Sequence, residues 1–166
     1  MQPSVEFSAG GFAIGGWGSY CFSTDQAMEA DLYASYGFDL GENSSLTFTL
    51  TDYYFPGAGS EWFNGDYHYF EPMVSLGLGK FSLLGAYMTN AEDIYFEAGL
   101  EAGSVNLFAG AGDGAYTLDG KFSVCNLGIS TSKEIKITDS FSIPVTGSLI
   151  LNPSTEQFHA VVGISL

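Results

Sequence analysis

Several stretches of this sequence alternate between apolar and polar residues and carry carboxylates in the polar row. Glu29 and Asp31 alternate with Ala30 and Leu32, and Glu97 and Glu101 stand in a similar stretch. A row of carboxylates on one face of a wall attracts cations and repels anions. The pattern therefore indicates electrostatic chemistry. The candidate lining residues are Glu6, Glu29, Asp31, Glu71, Glu97 and Glu101.

Motifs for covalent chemistry are missing from the sequence. The histidines His68 and His159 have no second histidine or cysteine at metal-ligand spacing. There is no G-x-S-x-G nucleophile elbow. Gly79-Lys80 is not a P-loop end, because the required earlier glycine is Val74. We therefore expect no enzymatic activity, no cofactor and no metal.

Acids in the predicted loops offer carboxylate oxygens of the kind that Ca²⁺ and Mg²⁺ prefer. The segment from Asp113 to Asp119 lacks the ligand spacing of an EF-hand, which favours ordinary solvated charge. The loop acids are Glu61, Asp66, Glu92, Asp93, Asp113 and Asp119.

Alternation with a period of two defines the elements that position these acids. Between Ser140 and Leu166, apolar residues alternate with small or polar ones in two runs joined by a turn at 152–155. Such alternation predicts strands, and about ten residues is the length that crosses a bilayer when tilted. Residues 134–139 are expected to form a turn. The predicted strands are 4–9, 12–22, 28–39, 46–53, 70–79, 81–89, 94–101, 105–112, 121–133, 141–151 and 157–166.

Composition favours a membrane location. The chain of 166 residues fits one domain, 1–166, with 46% hydrophobic residues and a mean hydropathy of +0.15, yet its net charge is -15. These values agree if apolar residues face lipid while acids occupy loops and a wet interior. Only 4 residues are Lys or Arg, too few to neutralise a row of phosphates, so we expect no nucleic-acid partner.

The lengths of the connections predict a fold class. Short turns, such as Gly79-Lys80, alternate with longer loops, of which 56–67 is the longest. Short turns on one rim and long loops on the other are typical of outer-membrane barrels. We therefore predict an all-β protein, a transmembrane up-and-down antiparallel β-barrel of about 12 strands in a bacterial outer membrane. Bacterial barrels have even strand numbers, so with 11 strands readable we expect a further strand before Gln2.

Aromatic residues gather near the predicted strand ends. Amphipathic rings at the ends of membrane-spanning strands suit the two membrane–water interfaces. The competing interpretation is an aromatic core. The candidate interfacial aromatics are Trp17, Tyr20, Tyr53, Tyr54, Trp62 and Tyr67.

Five stretches of the chain together carry a resemblance to a known family. The stretches are GGFAIGGWGSY (10–20), EADLYASYGF (29–38), LTDYYFPGAG (50–59), IYFEAGLE (94–101) and SKEIKITDSFSIPVTGSLILNP (132–153). They resemble the TorF-type (Gcw-type) porin family of outer-membrane β-barrels, in its Bacteroidetes version. The resemblance covers almost the whole chain, and it implies an outer-membrane barrel called a porin by analogy. It also implies a further strand upstream, but no catalytic or ligand residues.

The function that we expect is passive diffusion of small polar or cationic solutes through an acidic lumen, with the lipid bilayer as the other partner. In one alternative, the acids pair with one another and with Tyr33, Tyr53 and Tyr95 in a packed, closed interior, since a barrel of this size is narrow. Such a barrel would be structural, or would bind a partner through loop 56–67. A soluble lipocalin-like barrel is the other alternative. It requires the following residues to face inward: Leu32, Phe48, Leu76, Phe96, Leu149 and Ile164.

Overall fold

The strands of this protein form a single antiparallel sheet in chain order. The computed structural model describes residues 1–21, 28–56 and 62–165, and these contain 11 strands, each paired with the next along the sequence. A short 3₁₀ helix, Gly65–Tyr67, precedes the fifth strand. The strands are β1 (Ser4–Ala9), β2 (Phe12–Ser19), β3 (Glu29–Gly41), β4 (Ser44–Tyr54), β5 (His68–Leu78), β6 (Phe81–Met88), β7 (Asp93–Ala102), β8 (Val105–Gly114), β9 (Gly120–Thr138), β10 (Phe141–Asn152) and β11 (Gln157–Ile164).

The eleven strands predicted from alternation are confirmed, with one marked difference at β9. Residues 134–138, expected to turn, extend this strand to Thr138. Ile135 and Ile137 continue the alternation there, and Ile135 is paired with Ile143 of β10. The turn between the two strands is therefore confined to Asp139 and Ser140.

The strand register gives the sheet two chemically different faces. Asp31 is paired with Trp17 on one side and Tyr53 on the other, while its neighbour Leu32 is paired with Asp52. Because directly paired residues point to the same face, we call the face of Asp31 the acid-bearing face and that of Leu32 the apolar face.

Side-chain exposure differs sharply between the two faces. On the apolar face Phe48 is 48% exposed and Phe96 52% exposed, whereas on the acid-bearing face Glu71 is only 2% exposed. The residues that a lipocalin-like barrel needs inside lie instead on the apolar face, and of these only Leu76 is not exposed. The sheet therefore exposes its hydrocarbon on one face and buries the Glu71 carboxylate on the other.

Glycines on the acid-bearing face make room for aromatic rings from neighbouring strands. A Cβ at Gly15 would overlap the ring of Tyr33, and one at Gly110 would overlap the Tyr95 hydroxyl. Gly15 is directly paired with Tyr33, and Gly110 is paired with a residue of β7, the strand that carries Tyr95. The glycines thereby let tyrosine side chains lie flat over this face.

The edges of the sheet are formed by β1 and β11. In the described part of the chain, β1 is paired only with β2, and β11 only with β10. No helix among the described residues is long and apolar enough to cross a membrane.

Candidate functional site

All six acids predicted to line an interior lie on the acid-bearing face. One row runs across five strands from Glu6 through Gly15, Tyr33 and Thr51 to Glu71. Because alternate residues of a strand share a face, Glu29 and Asp31 lie on the same side as this row. Glu97 and Glu101 join the same face through β6 and β8.

Glu71 is the most buried of these acids and accepts hydrogen bonds from two tyrosines. The Tyr53 hydroxyl donates to Oε1 over 2.9 Å, and the Tyr116 hydroxyl donates to Oε2. Tyr116 belongs to the turn after β8, whereas Glu71 lies on β5. The sheet therefore curves around its acid-bearing face, because a side chain from beyond β8 reaches β5 across it.

Glu97 is held by a second group of polar side chains. The Tyr95 hydroxyl donates to Glu97 Oε2 over 2.6 Å, and Asn126 Nδ2 donates to the same oxygen over 3.0 Å. Asn126 also donates to the Tyr95 hydroxyl over 2.8 Å. The Tyr95 and Tyr116 rings lie 5.0 Å apart, which places this group beside the Glu71 group.

The tyrosine partners are those named for the closed-interior alternative. Tyr33 donates to Glu6 over 2.8 Å, Tyr53 to Glu71 and Tyr95 to Glu97. Hydrogen bonds to a carboxylate are stronger than those between neutral groups, so these pairs fix the rings over the face. Half of the candidate acids are thus tied to tyrosines.

The remaining three acids have different surroundings. Asp31 is 7% exposed, and its Oδ1 atom has no hydrogen-bond partner in the described part of the chain. Glu29, two residues before it, is partly buried. Glu101 borders a cavity of about 600 Å³ that opens at the rim of short turns and is also lined by Asp39 and Lys80.

The candidate interfacial aromatics separate into three groups. Trp17 and Tyr53 lie on the acid-bearing face beside Asp31. Alternation within each strand accounts for this face, because the neighbouring residues Gly16 and Tyr54 are on the apolar face. Tyr20 is exposed after β2, and Tyr67 ends the 3₁₀ helix.

Tyr54 and Trp62 belong to a cluster on the apolar face that sequence reasoning missed. Tyr54 stacks on His68 with ring centroids 4.9 Å apart, and Trp62 packs edge-on against both rings. His68 precedes the predicted strand 70–79, but it is the first residue of β5 in the structure. Its ring accounts for the burial of Tyr54, which is 8% exposed.

His68 is bonded at both ring nitrogens. Nδ1 lies 2.8 Å from Asp52 Oδ1, and Nε2 lies 2.6 Å from the carbonyl oxygen of Trp62. Both partners are acceptors, and this arrangement favours an imidazole that is protonated at both nitrogens. The sequence signal for this ion pair was Asp52 itself, a carboxylate in the apolar row of Leu46, Phe48 and Leu50.

Two of the predicted loop acids, Asp93 and Asp113, lie at strand ends and accept hydrogen bonds from neighbouring backbone N–H groups. Asp113 Oδ1 accepts from Ile94 N over 2.7 Å, and Asp93 Oδ2 accepts from Ala115 N over 2.9 Å. The backbone N–H and the ammonium of Lys121 hold the pKa of Asp119 below its ordinary value. Glu61 lies outside the described residues. Within 1–21, 28–56 and 62–165, no group of three or more His, Cys, Asp or Glu side chains has the arrangement of a metal site.

No protein-family model, curated protein or solved structure matches this chain.

Proposed function

We propose that this chain forms the wall of a β-barrel in a bacterial outer membrane, and that small polar or cationic solutes diffuse passively through its acidic interior. The observation that carries the proposal is the contrast between the two faces of one sheet. Phe48 and Phe96 are about half exposed on one face, while Glu71 and Asp31 are almost fully buried on the other.

The apolar face is too extensive for a wall surrounded by water. Exposed aliphatic and aromatic side chains occur along it from β1 to β11, whereas soluble monomers rarely expose apolar patches above a few hundred Å². Such a face is stable in contact with the hydrocarbon of a bilayer. Membrane β-barrels likewise consist of antiparallel strands whose lipid-facing rows are apolar. The resemblance to the TorF-type porin family supports the same assignment.

The charges of the acid-bearing face determine which solutes it favours. Among the described residues, Lys121 and Lys136 form ion pairs with Asp119 and Asp139, so neither pair neutralises Glu29, Glu97 or Glu101. Lys80 lines the cavity at the short-turn rim together with three carboxylates, those of Asp39, Glu97 and Glu101. An interior in which one sign of charge predominates concentrates counter-ions. The solutes that we assign to the pathway are therefore small and neutral or cationic.

Conductance and reversal potential in planar bilayers test this function. We expect the wild-type protein to conduct with a preference for K⁺ over Cl⁻, and the double variant Glu29→Gln/Glu101→Gln to lose part of that preference. The control is Asp139→Asn, which removes one charge from a fully exposed turn residue. Ion selectivity that is identical in all three proteins would remove these acids from the pathway.

A non-conducting barrel is the second candidate, and the Tyr116 contact favours it. Tyr116 crosses the acid-bearing face to Glu71 and touches Tyr95, so it narrows the space enclosed by β5 to β8. In that case the protein inserts into bilayers, shows no conductance, and acts through its loops. Insertion without conductance in the wild-type protein would select this candidate.

A further inference from the structure

Asp31 is a buried carboxylate whose charge nothing in the described chain compensates. Its side chain is 7% exposed, and Oδ1 lacks any hydrogen-bond partner among the described residues. A buried polar atom without a partner is costly, and a buried unpaired charge more so. Such a group in a folded protein calls for a ligand that supplies what the chain does not.

The chain itself offers Asp31 no positive partner. The ion pairs of residues 1–21, 28–56 and 62–165 engage Asp52, Asp119 and Asp139, and none engages an acid of the acid-bearing face. Glu29 adds a second negative charge on the same face, roughly 7 Å along β3. The local field therefore favours a cation.

The neighbours of Asp31 distinguish between kinds of cation. No described cluster of acids, histidines or cysteines has the arrangement of a metal site. Two aromatic residues, Trp17 on β2 and Tyr53 on β4, are instead the direct strand partners of Asp31. Directly paired side chains on one face have Cβ atoms about 5 Å apart, and aromatic rings attract organic ammonium groups.

We propose that Asp31 anchors a binding site for a small organic ammonium ion, with Glu29 as a second charge and Trp17 and Tyr53 as flanking rings. The ammonium group donates hydrogen bonds to the Asp31 carboxylate, and its alkyl part lies against the rings. The site deepens the proposed function, on which it rests for its biological meaning: amines are then the cationic solutes that the interior favours.

Fluorescence of Trp17 tests the site without any measurement of transport. The protein carries Trp62→Phe, so that Trp17 is the only tryptophan, and it is titrated in detergent micelles at low salt with methylammonium chloride. We expect a saturable change in emission. The Asp31→Asn variant should weaken binding at least about tenfold, because a charged hydrogen-bond partner is lost. Asp139→Asn, which removes a charge from a fully exposed turn residue, should bind as the parent does.

Further titrations make each outcome decisive. Asp31→Glu, which restores the charge, should recover most of the affinity, and Glu29→Gln should weaken binding less than Asp31→Asn does. Circular dichroism confirms that each variant has kept its β structure. Potassium chloride at equal concentration should produce no saturable change. An equal response to potassium, or an unchanged affinity in Asp31→Asn, would overturn the site.

The proposed function and the proposed ammonium site can fail independently of each other. Saturable methylammonium binding in a protein that gives no bilayer conductance supports the site and removes diffusion. Conductance with cation preference but no saturable binding supports diffusion and removes the site.

Discussion

At the scale of single residues, Tyr116 is the side chain that reaches across the acid-bearing face to Glu71. Its hydroxyl donates to Glu71 and its ring lies 5.0 Å from that of Tyr95. We expect Tyr116→Ala to raise single-channel conductance, because it removes the ring that crosses the face, and Tyr116→Phe to raise it less. Tyr36→Phe, on the apolar face, is the control. Equal conductance in all variants would show that Tyr116 does not narrow the pathway.

The Asp52–His68 pair holds Trp62 against the sheet. Both ring nitrogens of His68 are bonded, one to Asp52 and one to the Trp62 backbone. Asp52→Asn removes the charge that this imidazolium faces. Since a buried partner is lost, we expect the free energy of unfolding to fall by about 1–3 kcal/mol. Urea titration measures it, and Asp39→Asn is the control.

Trp62 fluorescence reports the same change locally. In a Trp17→Phe background, Asp52→Asn should let acrylamide quench Trp62 more strongly, since the His68 ring is no longer fixed beneath it. A fall in stability without increased quenching would mean that the pair stabilises the sheet but does not position Trp62.

The faces of individual residues were predictable, but their distant partners were not. Alternation alone assigns Glu71 and Asp31 to the same face, because the side-chain period of a strand is two. Tyr116 gave no such signal, since it reaches Glu71 from 45 positions away. That contact depends on the curvature of the whole sheet, which no local pattern encodes.

At the scale of elements, the opposite faces of one strand should respond differently to the same charge. Phe48 and Thr49 are neighbours in the middle of β4, on the apolar and acid-bearing faces respectively. We expect Phe48→Lys to destabilise the inserted protein by about 2–4 kcal/mol, the cost of a lysine near the bilayer midplane. Thr49→Lys should cost far less. Urea unfolding in lipid vesicles measures both, and equal costs would contradict the proposed orientation.

Strand positions were predictable where alternation was clean. β1 matches its predicted bounds, and β3 differs by one or two residues at each end, because their apolar and polar rows are regular. At β6, the adjacent Leu83 and Leu84 interrupt the alternation, so the sequence pattern alone does not say which of them is on the apolar face. The register resolves it, since Leu84 is paired with Glu97 and Leu83 with Ala98. The face of a residue in such a strand is therefore decided by its pairing with neighbouring strands, which the pattern of one strand does not contain.

At the scale of the whole molecule, strand parity constrains how the edges are satisfied. Successive strands are antiparallel from β1 to β11, so these two edge strands run in the same direction. Direct pairing of the edges would be parallel, whereas an antiparallel wall requires an odd number of intervening strands, whatever their source. Unpaired edges are untenable in lipid, because each unsatisfied backbone group costs several kcal/mol.

Engineered disulfides distinguish these closures in a variant whose native cysteines are replaced by serine. Ser148→Cys/Val161→Cys should cross-link on oxidation in vesicles, because these residues are directly paired. Glu6→Cys, combined in turn with Cys at His159, Val161 or Gly163, should not cross-link, because we expect another strand to separate β1 from β11. Non-reducing electrophoresis reads out both sets. Efficient cross-linking of any edge pair would instead show direct parallel closure, with the eleven strands forming a complete wall.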